Sequence, residues 1–343
     1  MSRTCIDIGS KYIHIAEGDY QKNQLTVLKS GSSEISGECF DDEMVVNDEL
    51  LAETIKSLAQ REGFSLKEIV ITINGTHSII REVDIPHSKP KDLDDIVKNE
   101  MYQTFHILNT DIIQYKRIDR PLDEEDEGLD RYRVAAIDKD FVESYFRTAR
   151  RLGGKRMSMD LNINAIDKLL DWADTLNETA TDEKGFLLID FGHTITTVYI
   201  YSKNQPLFYR HLNIGSSDID KVLIDTFHRE EKEAESFKKD MNFFDEKEDT
   251  VPYFEALKPI LYHMVDEVRK LATFYINRSK GSSIGKCFLA GQGSNLPGFP
   301  QYWSISLGIS TEKLQSISRG TTVIPLDNPG HLNAVAGLIR HKK

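Results

Sequence analysis

Cysteine is scarce in this chain: 343 residues contain three, Cys5, Cys39 and Cys287, set far apart. That number and spacing fit neither a disulfide framework nor a cysteine-ligated metal, so a reduced, cytoplasmic setting is expected. Basic charge is also short, with 43 Lys and Arg against 55 Asp and Glu and a net charge of −12. A nucleic-acid partner and a polybasic membrane anchor are both disfavoured by that balance. No window holds the ~18 uninterrupted apolar residues of a membrane-spanning helix. The first ten residues also lack the basic leader and apolar core of a secretory signal. Direct membrane insertion is therefore not expected, and any membrane association has to come through a partner. What remains is a chain 39% hydrophobic, long enough for about two globular domains.

Two stretches stand out within it. Phe186 to Ser202 reads as an apolar strand that ends in Asp190-Phe191-Gly192 and is followed by a second β-rich run. The opening of the chain repeats the device, with Asp7-Ile8-Gly9-Ser10-Lys11 between two strand-like runs. A glycine at such a tip lets backbone N–H groups approach an anion, and a carboxylate there holds Mg²⁺, which in turn bridges phosphate oxygens. An ordinary strand-end turn is the plainer reading of either copy alone. The pair gains weight from a third element, Leu289 to Gly298, a strand running into a turn rich in glycine (Gly291, Gly293, Gly298).

The rest of the chain alternates strand and helix signals. Strands are expected over 4–9, 12–19 and 24–31, and a helix over 48–61 capped by Asn47. A strand over 68–73 should turn at Asn74-Gly75 and return over 78–83 as a hairpin. Residues 83–154 form a compact unit: a helix over 92–105, strands over 112–118 and 131–136, a solvated acidic loop at 123–127, and a helix over 139–152 stopped by Gly153-Gly154. Strand and helix signals share 157–170, and a strand follows over 206–213. Gly215 to Asp218 opens a helix through Phe227, with Ser216 or Ser217 as its expected cap. Glu235 and Lys238 lie one turn apart in a charged helix over 228–239, with an acidic linker over 245–249. The long helix over 254–278 carries Pro259 near its start or at a kink. A small-residue stretch over 332–339 suits close packing.

Taken in order, these pieces resemble the actin-like ATPase superfamily across essentially the whole chain. The resemblance implies a two-lobed α/β fold of the actin-like, ribonuclease H-like kind. The first hairpin looks like the phosphate 1 motif, Asp190 with Gly192 like phosphate 2, and Leu289 to Gly298 like the adenosine motif. Met157 to Leu170 and Asn333 to Leu338 look like the two connecting helices of the hinge, and Ala234 to Lys238 like an element that reaches the nucleoside. ATP and Mg²⁺ are the implied cofactors. Asp7 and Asp190 would carry the metal and any catalysis. Gly9, Ser10, Lys11, His14, Gly192, His193, Thr194, Gly215, Glu235, Lys238, Gly291, Gln292 and Gly293 would hold the nucleotide. His14 stands where the return strand often has lysine, so slow or absent hydrolysis is expected.

An insertion at 83–154 resembles the 1C subdomain of the branch that includes the division protein FtsA and the type IV pilus assembly family PilM. The chain stops at 340–343, directly after the packing stretch and without FtsA's amphipathic helix, so the PilM family is the better match. The implied plan is subdomain 1A at 1–82, 155–185 and 313–343, 1C at 83–154, 2A at 186–215 and 284–312, and 2B at 216–283. The implied partner is the cytoplasmic N-terminal tail of a PilN-like bitopic membrane protein, gripped between 1A and 1C at the inner-membrane pilus platform. Two other readings stay open: an FtsA-like polymer, whose self-association would pellet with ATP, and a small-molecule kinase, for which 83–154 shows no evident catalytic base.

Overall fold

In the computed structural model the described residues are 2–340 apart from 75, 106, 109–110, 119–127, 182–183, 203–206, 243, 245–249 and 279–282. Both acidic loops expected from the sequence lie outside them. The chain opens as a meander of three strands, β1 (Arg3–Ile8), β2 (Tyr12–Gln21) and β3 (Gln24–Glu34), followed by the two-residue strands β4 (Phe40–Asp41) and β5 (Met44–Val45). Helix α1 (Asp48–Glu62) starts where the Asn47 side chain accepts the Leu50 N–H at 3.1 Å. It stops at Gly63 in the left-handed region, φ 71°. Strand β6 (Glu68–Ile73) then pairs parallel to β1.

Here the expected hairpin does not form. Strand β7 (Ser78–Pro86) leaves the first sheet and joins a different one, with β8 (Ile112–Arg117) and β9 (Leu129–Ile137) in the order β7-β9-β8. Five of the six residues of β6 are buried, and both its edges are taken, by β1 and by β10 (Arg156–Leu161). A return strand beside it has no room, and the local Asn-Gly signal carries no information about that competition. Between β7 and β8 runs α2 (Pro90–Phe105), which buries Val97 and Met101 on the three-stranded sheet. Helix α3 (Lys139–Leu152) follows β9 and packs instead with α1, its Phe141, Val142 and Tyr145 sharing a core with Leu51, Ile55 and Leu58.

The second lobe repeats the first. After α4 (Asn162–Trp172) and the short strands β11 (Thr175–Leu176) and β12 (Thr179–Ala180) come β13 (Gly185–Phe191), β14 (Thr196–Tyr201) and β15 (Phe208–Leu212). Three helices follow: α5 (Ser216–Phe227), α6 (Glu231–Asp240) and α7 (Val251–Arg278), the last continuing through Pro259. Strand β16 (Ile284–Ala290), α8 (Phe299–Leu307) and β17 (Thr311–Lys313) complete the lobe. Its sheet, β15-β14-β13-β16-β17, has the plan of β3-β2-β1-β6-β10: a three-strand antiparallel meander whose first strand continues across the sheet into two parallel strands. Strands β18 (Ser316–Arg319) and β19 (Thr322–Pro325) extend a small sheet with β11 and β12, and α9 (Leu332–Ala336) ends the described chain.

Helices α4 and α9 lie between the two large sheets. One core runs from Cys5, Ala16 and Val70 through Ile166, Leu169, Ala334 and Val335 to Leu188, Tyr199 and Phe288. The small-residue end is required for this: a Cβ on Gly337 would stand 2.3 Å from the Cys5 sulfur. The two sheets are thus joined at their bases, and both strand-tip turns face the same gap.

The unit carrying β7–β9 is tied to the first lobe by charge. The Asp167 carboxylate of α4 accepts from Lys116 Nζ of β8 at 3.0 Å and from the Arg133 guanidinium of β9. The side chains of Asp167 and Arg133 are 4% and 9% exposed. Without Asp167, buried Arg133 keeps the Glu82 carboxylate at 3.1 Å and Lys116, a third exposed, keeps Asn164 at 3.1 Å, so part of the compensation is lost. Asp167→Ala should therefore lower stability by about 1–3 kcal/mol in urea unfolding; no measurable loss would show the tie to be unimportant.

Candidate nucleotide cleft and neighbouring groove

The cleft is built from two equivalent turns. Asp7 is the second-last residue of β1, paired with His14, and Asp190 is the second-last of β13, paired with Thr197. Gly9 donates its N–H to the Tyr12 carbonyl at 3.0 Å, and Gly192 donates to Ile195 in the same way, also at 3.0 Å. A Cβ on Gly192 would approach the Ile195 carbonyl oxygen to 2.6 Å, so this tight turn needs glycine. The two tips touch where Thr194 Oγ1 donates to Ser10 Oγ at 3.0 Å.

Of the residues singled out from sequence, Asp7, Gly9, Ser10, Lys11, His14, Asp190, Gly192, His193, Thr194, Gly291 and Gln292 line one cavity between the lobes. Gly291, at φ 80°, passes so near Asp190 that a Cβ would lie 2.5 Å from its Oδ1. Four residues lie elsewhere. Gly293 sits beneath the Phe191 ring, and Gly215 rests against the His193 carbonyl. The helix after Gly215 is not capped by Ser216 or Ser217 side chains. Instead, Asp218 accepts the Gly215 N–H at 2.9 Å, while the N–H groups of Ser216 and Ser217 donate to the Gly192 and His193 carbonyls. That helix terminus therefore braces the phosphate-type turn from behind.

Lys238 is buried and held by the Asp220 carboxylate at 2.6 Å. Burial pushes its pKa down although Asp220 opposes the shift. Glu235 reaches the other lobe, accepting from Lys11 Nζ at 3.0 Å and from the Tyr12 hydroxyl at 2.8 Å. Burial works against its charge, but hydrogen bonds from Lys239, Lys11 and Tyr12 win and hold its pKa near 2.

Among the described residues no cation is paired with either cleft carboxylate, although Lys11 lines the same cavity. Burial, reinforced by the charge of Asp190, pushes Asp7 up to about 7, against hydrogen bonds from Asn162, Thr72 and Asn333. Asp190 is also raised by loss of solvation, with a 2.9 Å hydrogen bond from Asn333 Nδ2 opposing. Burial and the neighbouring His331 push His14 down to about 3, so it is neutral at pH 7. Its ring lies 5.4 Å from that of His331.

Asn162 and Asn333 were not singled out from sequence. Each stands at the start of a helix between the sheets, and each keeps its side-chain Oδ1 buried without a protein partner. Two carboxylates and two unpartnered amide oxygens make an all-oxygen donor set suited to a hydrated Mg²⁺ ion. Among the described residues no cluster of three or more His, Cys, Asp or Glu is placed to hold a metal by itself.

A second concavity lies between the first large sheet and the β7–β9 sheet. It encloses about 910 Å³ and is lined by Ile80, Ala135, Ile137, Val142, Phe146 and Met159, with Lys116, Arg133 and Lys168 toward one end. Its walls include β8 and β10, each the outermost strand of its sheet.

Two lobes of matching topology, hinged by a pair of helices and tipped by Asp-x-Gly turns, define the class of actin-like folds. Solved structures agree. A PilM-PilN type IV pilus biogenesis complex matches with a TM-score of 0.73 at 19% identity, over 91% of this chain and 88% of that one. The ethanolamine utilization protein EutJ of Carboxydothermus hydrogenoformans matches with 0.57 at 13% identity, over 98% and 89%. MreB 5 of Spiroplasma citri bound to AMPPNP matches with 0.52 at 10% identity, over 98% and 94%. No curated protein sequence matches significantly. The sequence model of one family, described as type IV pilus assembly protein PilM, matches residues 5–325. The chain belongs to the PilM family. Consistent with the sequence, no helix among the described residues is long and apolar enough to cross a membrane.

Proposed function

We propose that this protein is a nucleotide-responsive scaffold of type IV pilus assembly, with Mg-ATP in the interlobe cleft and the cytoplasmic tail of a PilN-like membrane protein in the groove beside β8 and β10. The observation that carries the nucleotide half is the placement of Asp7 and Asp190 in one cavity with the Gly9 and Gly192 turns. Asp7, Asp190 and the oxygens of Asn162 and Asn333 would hold Mg²⁺, largely through water. The metal would neutralise phosphate charge; the N–H groups and hydroxyls of Ser10 and Thr194 would fix the phosphates. Neutral His14 gives little to a developing charge, so turnover is slow or absent. The solved MreB 5 with AMPPNP supports nucleotide as the ligand class for such a cleft.

The tail half rests on the groove. Outermost strands offer unpaired backbone to an extended segment, and an apolar floor takes alternate side chains. Attachment through that tail would bring the protein to the inner face of the membrane, with 1A and 1C as the gripping subdomains. A peptide covering the N-terminal tail of a PilN-like protein from the same organism should bind with micromolar affinity by calorimetry. A peptide with the same composition but scrambled order should not, and equal binding of both would remove the groove as a specific site.

A further inference from the structure

A cation that lines the cleft is already engaged. Lys11 lines the cavity two residues after Gly9, yet its ammonium is bonded to Glu235 of α6 in the other lobe at 3.0 Å. Tyr12 donates to the second Glu235 oxygen at 2.8 Å, and both Lys11 and Glu235 side chains are largely shielded, 12% and 16% exposed. Glu34 at 3.7 Å is the other carboxylate paired with Lys11, and Lys239 the other cation on Glu235. The cavity, lined by Lys11 and Tyr12 but not by Glu235, is about 80 Å³, far below the roughly 300 Å³ at the lower end of ligand sites. A wider cavity of about 670 Å³ opens beyond Gly9, Ser10 and Thr194. Seating a nucleotide against both Asp7 and Asp190 requires the lobes to part, and parting them breaks the Glu235 contacts.

We propose that Glu235 is a counter-ion gate: it holds Lys11 in the empty protein, and an entering triphosphate displaces it, so that the Lys11 ammonium turns to the phosphates. This deepens the nucleotide reading above and rests on it. It also reverses the sign expected for Glu235. A residue that touches the nucleoside weakens binding when changed, whereas a competitor for Lys11 strengthens it. The exchange moves α6 relative to the first hairpin, which gives nucleotide entry a defined mechanical consequence.

The test is titration of fluorescent ATP with Mg²⁺ into the full chain and its variants, each first checked for an unchanged far-ultraviolet spectrum. Glu235→Gln should bind about tenfold tighter, since the closed state no longer competes. Tyr12→Phe, which removes only one of the two contacts, should shift affinity in the same direction by less. Lys11→Met should bind at least tenfold more weakly, and adding Glu235→Gln to it should not bring affinity back to that of wild type. Weaker binding by Glu235→Gln, or unchanged binding by Lys11→Met, overturns the gate. If that happens while Asp190→Ala still abolishes binding, the cleft assignment survives and only the gate fails. No binding by wild type or Glu235→Gln overturns both.

Discussion

Asp7→Asn stabilises the empty protein at pH 8 and abolishes its Mg²⁺-dependent nucleotide binding. The folded carboxyl has a pKa of about 7 against a reference of 3.8. Between those values the folded state holds a proton that the unfolded chain has lost, so stability falls as pH rises through this window and stays low above it. The penalty comes from burying the charge beside Asp190 with no cation between them. An amide removes it while keeping a partner for the Thr72 hydroxyl, which donates to Asp7 at 3.2 Å. The expected gain at pH 8 is on the order of 2–4 kcal/mol, shrinking to under about 1 kcal/mol near pH 4, where the folded carboxyl is protonated and the unfolded one is close to its own pKa. Urea unfolding of both proteins across pH 4–8 reads it directly. A constant difference across the range would mean that Asp7 is not the titrating group. Mg²⁺ should oppose the effect in wild type by supplying the missing positive charge, and should do nothing for the variant.

Ala135→Glu removes partner-tail binding. Ala135 lies in the middle strand of the small sheet, partly exposed on the wall of the groove. A carboxylate there either loses water under a docked apolar segment or keeps the segment away. The desolvation cost of about 2 kcal/mol or more corresponds to at least a thirtyfold loss of affinity. Because Ala135 is partly exposed at the edge of the central core, the melting temperature should fall by only a few degrees. Calorimetry with the tail peptide checks the first statement and a thermal scan the second. Full affinity in a folded variant would locate the tail elsewhere.

The features that were legible in the sequence are local ones. Alternating apolar runs and the Asp-x-Gly tips located β1, β2, β13 and β14, because strand pattern and turn chemistry reside in adjacent residues. Asn47 and Gly153 marked helix ends for the same reason. The hairpin expected at Asn74-Gly75 failed because strand partners are chosen by burial and competition across the whole sheet. The cap expected from Ser216 or Ser217 failed because Gly215 holds the N-cap position and both serines lie inside the first turn, where their N–H groups reach the Gly192 and His193 carbonyls, a contact spanning more than twenty residues. Glu235 illustrates the limit most clearly. Its spacing to Lys238 suggested a shared target, yet the fold sends Lys238 to Asp220 and Glu235 to Lys11, 224 positions away. Asn162 and Asn333 lay within the stretches likened to the connecting helices but were not marked as site residues, and only the convergence of α4 and α9 on the two carboxylates gives them a role.

The central claim is that two carboxylates from two lobes hold one Mg-nucleotide. Calorimetric titration of ATP into wild type and Asp190→Ala, with Mg²⁺ and with EDTA, tests it most directly. The account predicts saturable binding to wild type that requires Mg²⁺, and no measurable heat with a folded Asp190→Ala. Equal affinity in the two proteins, or wild-type binding indifferent to EDTA, would contradict it.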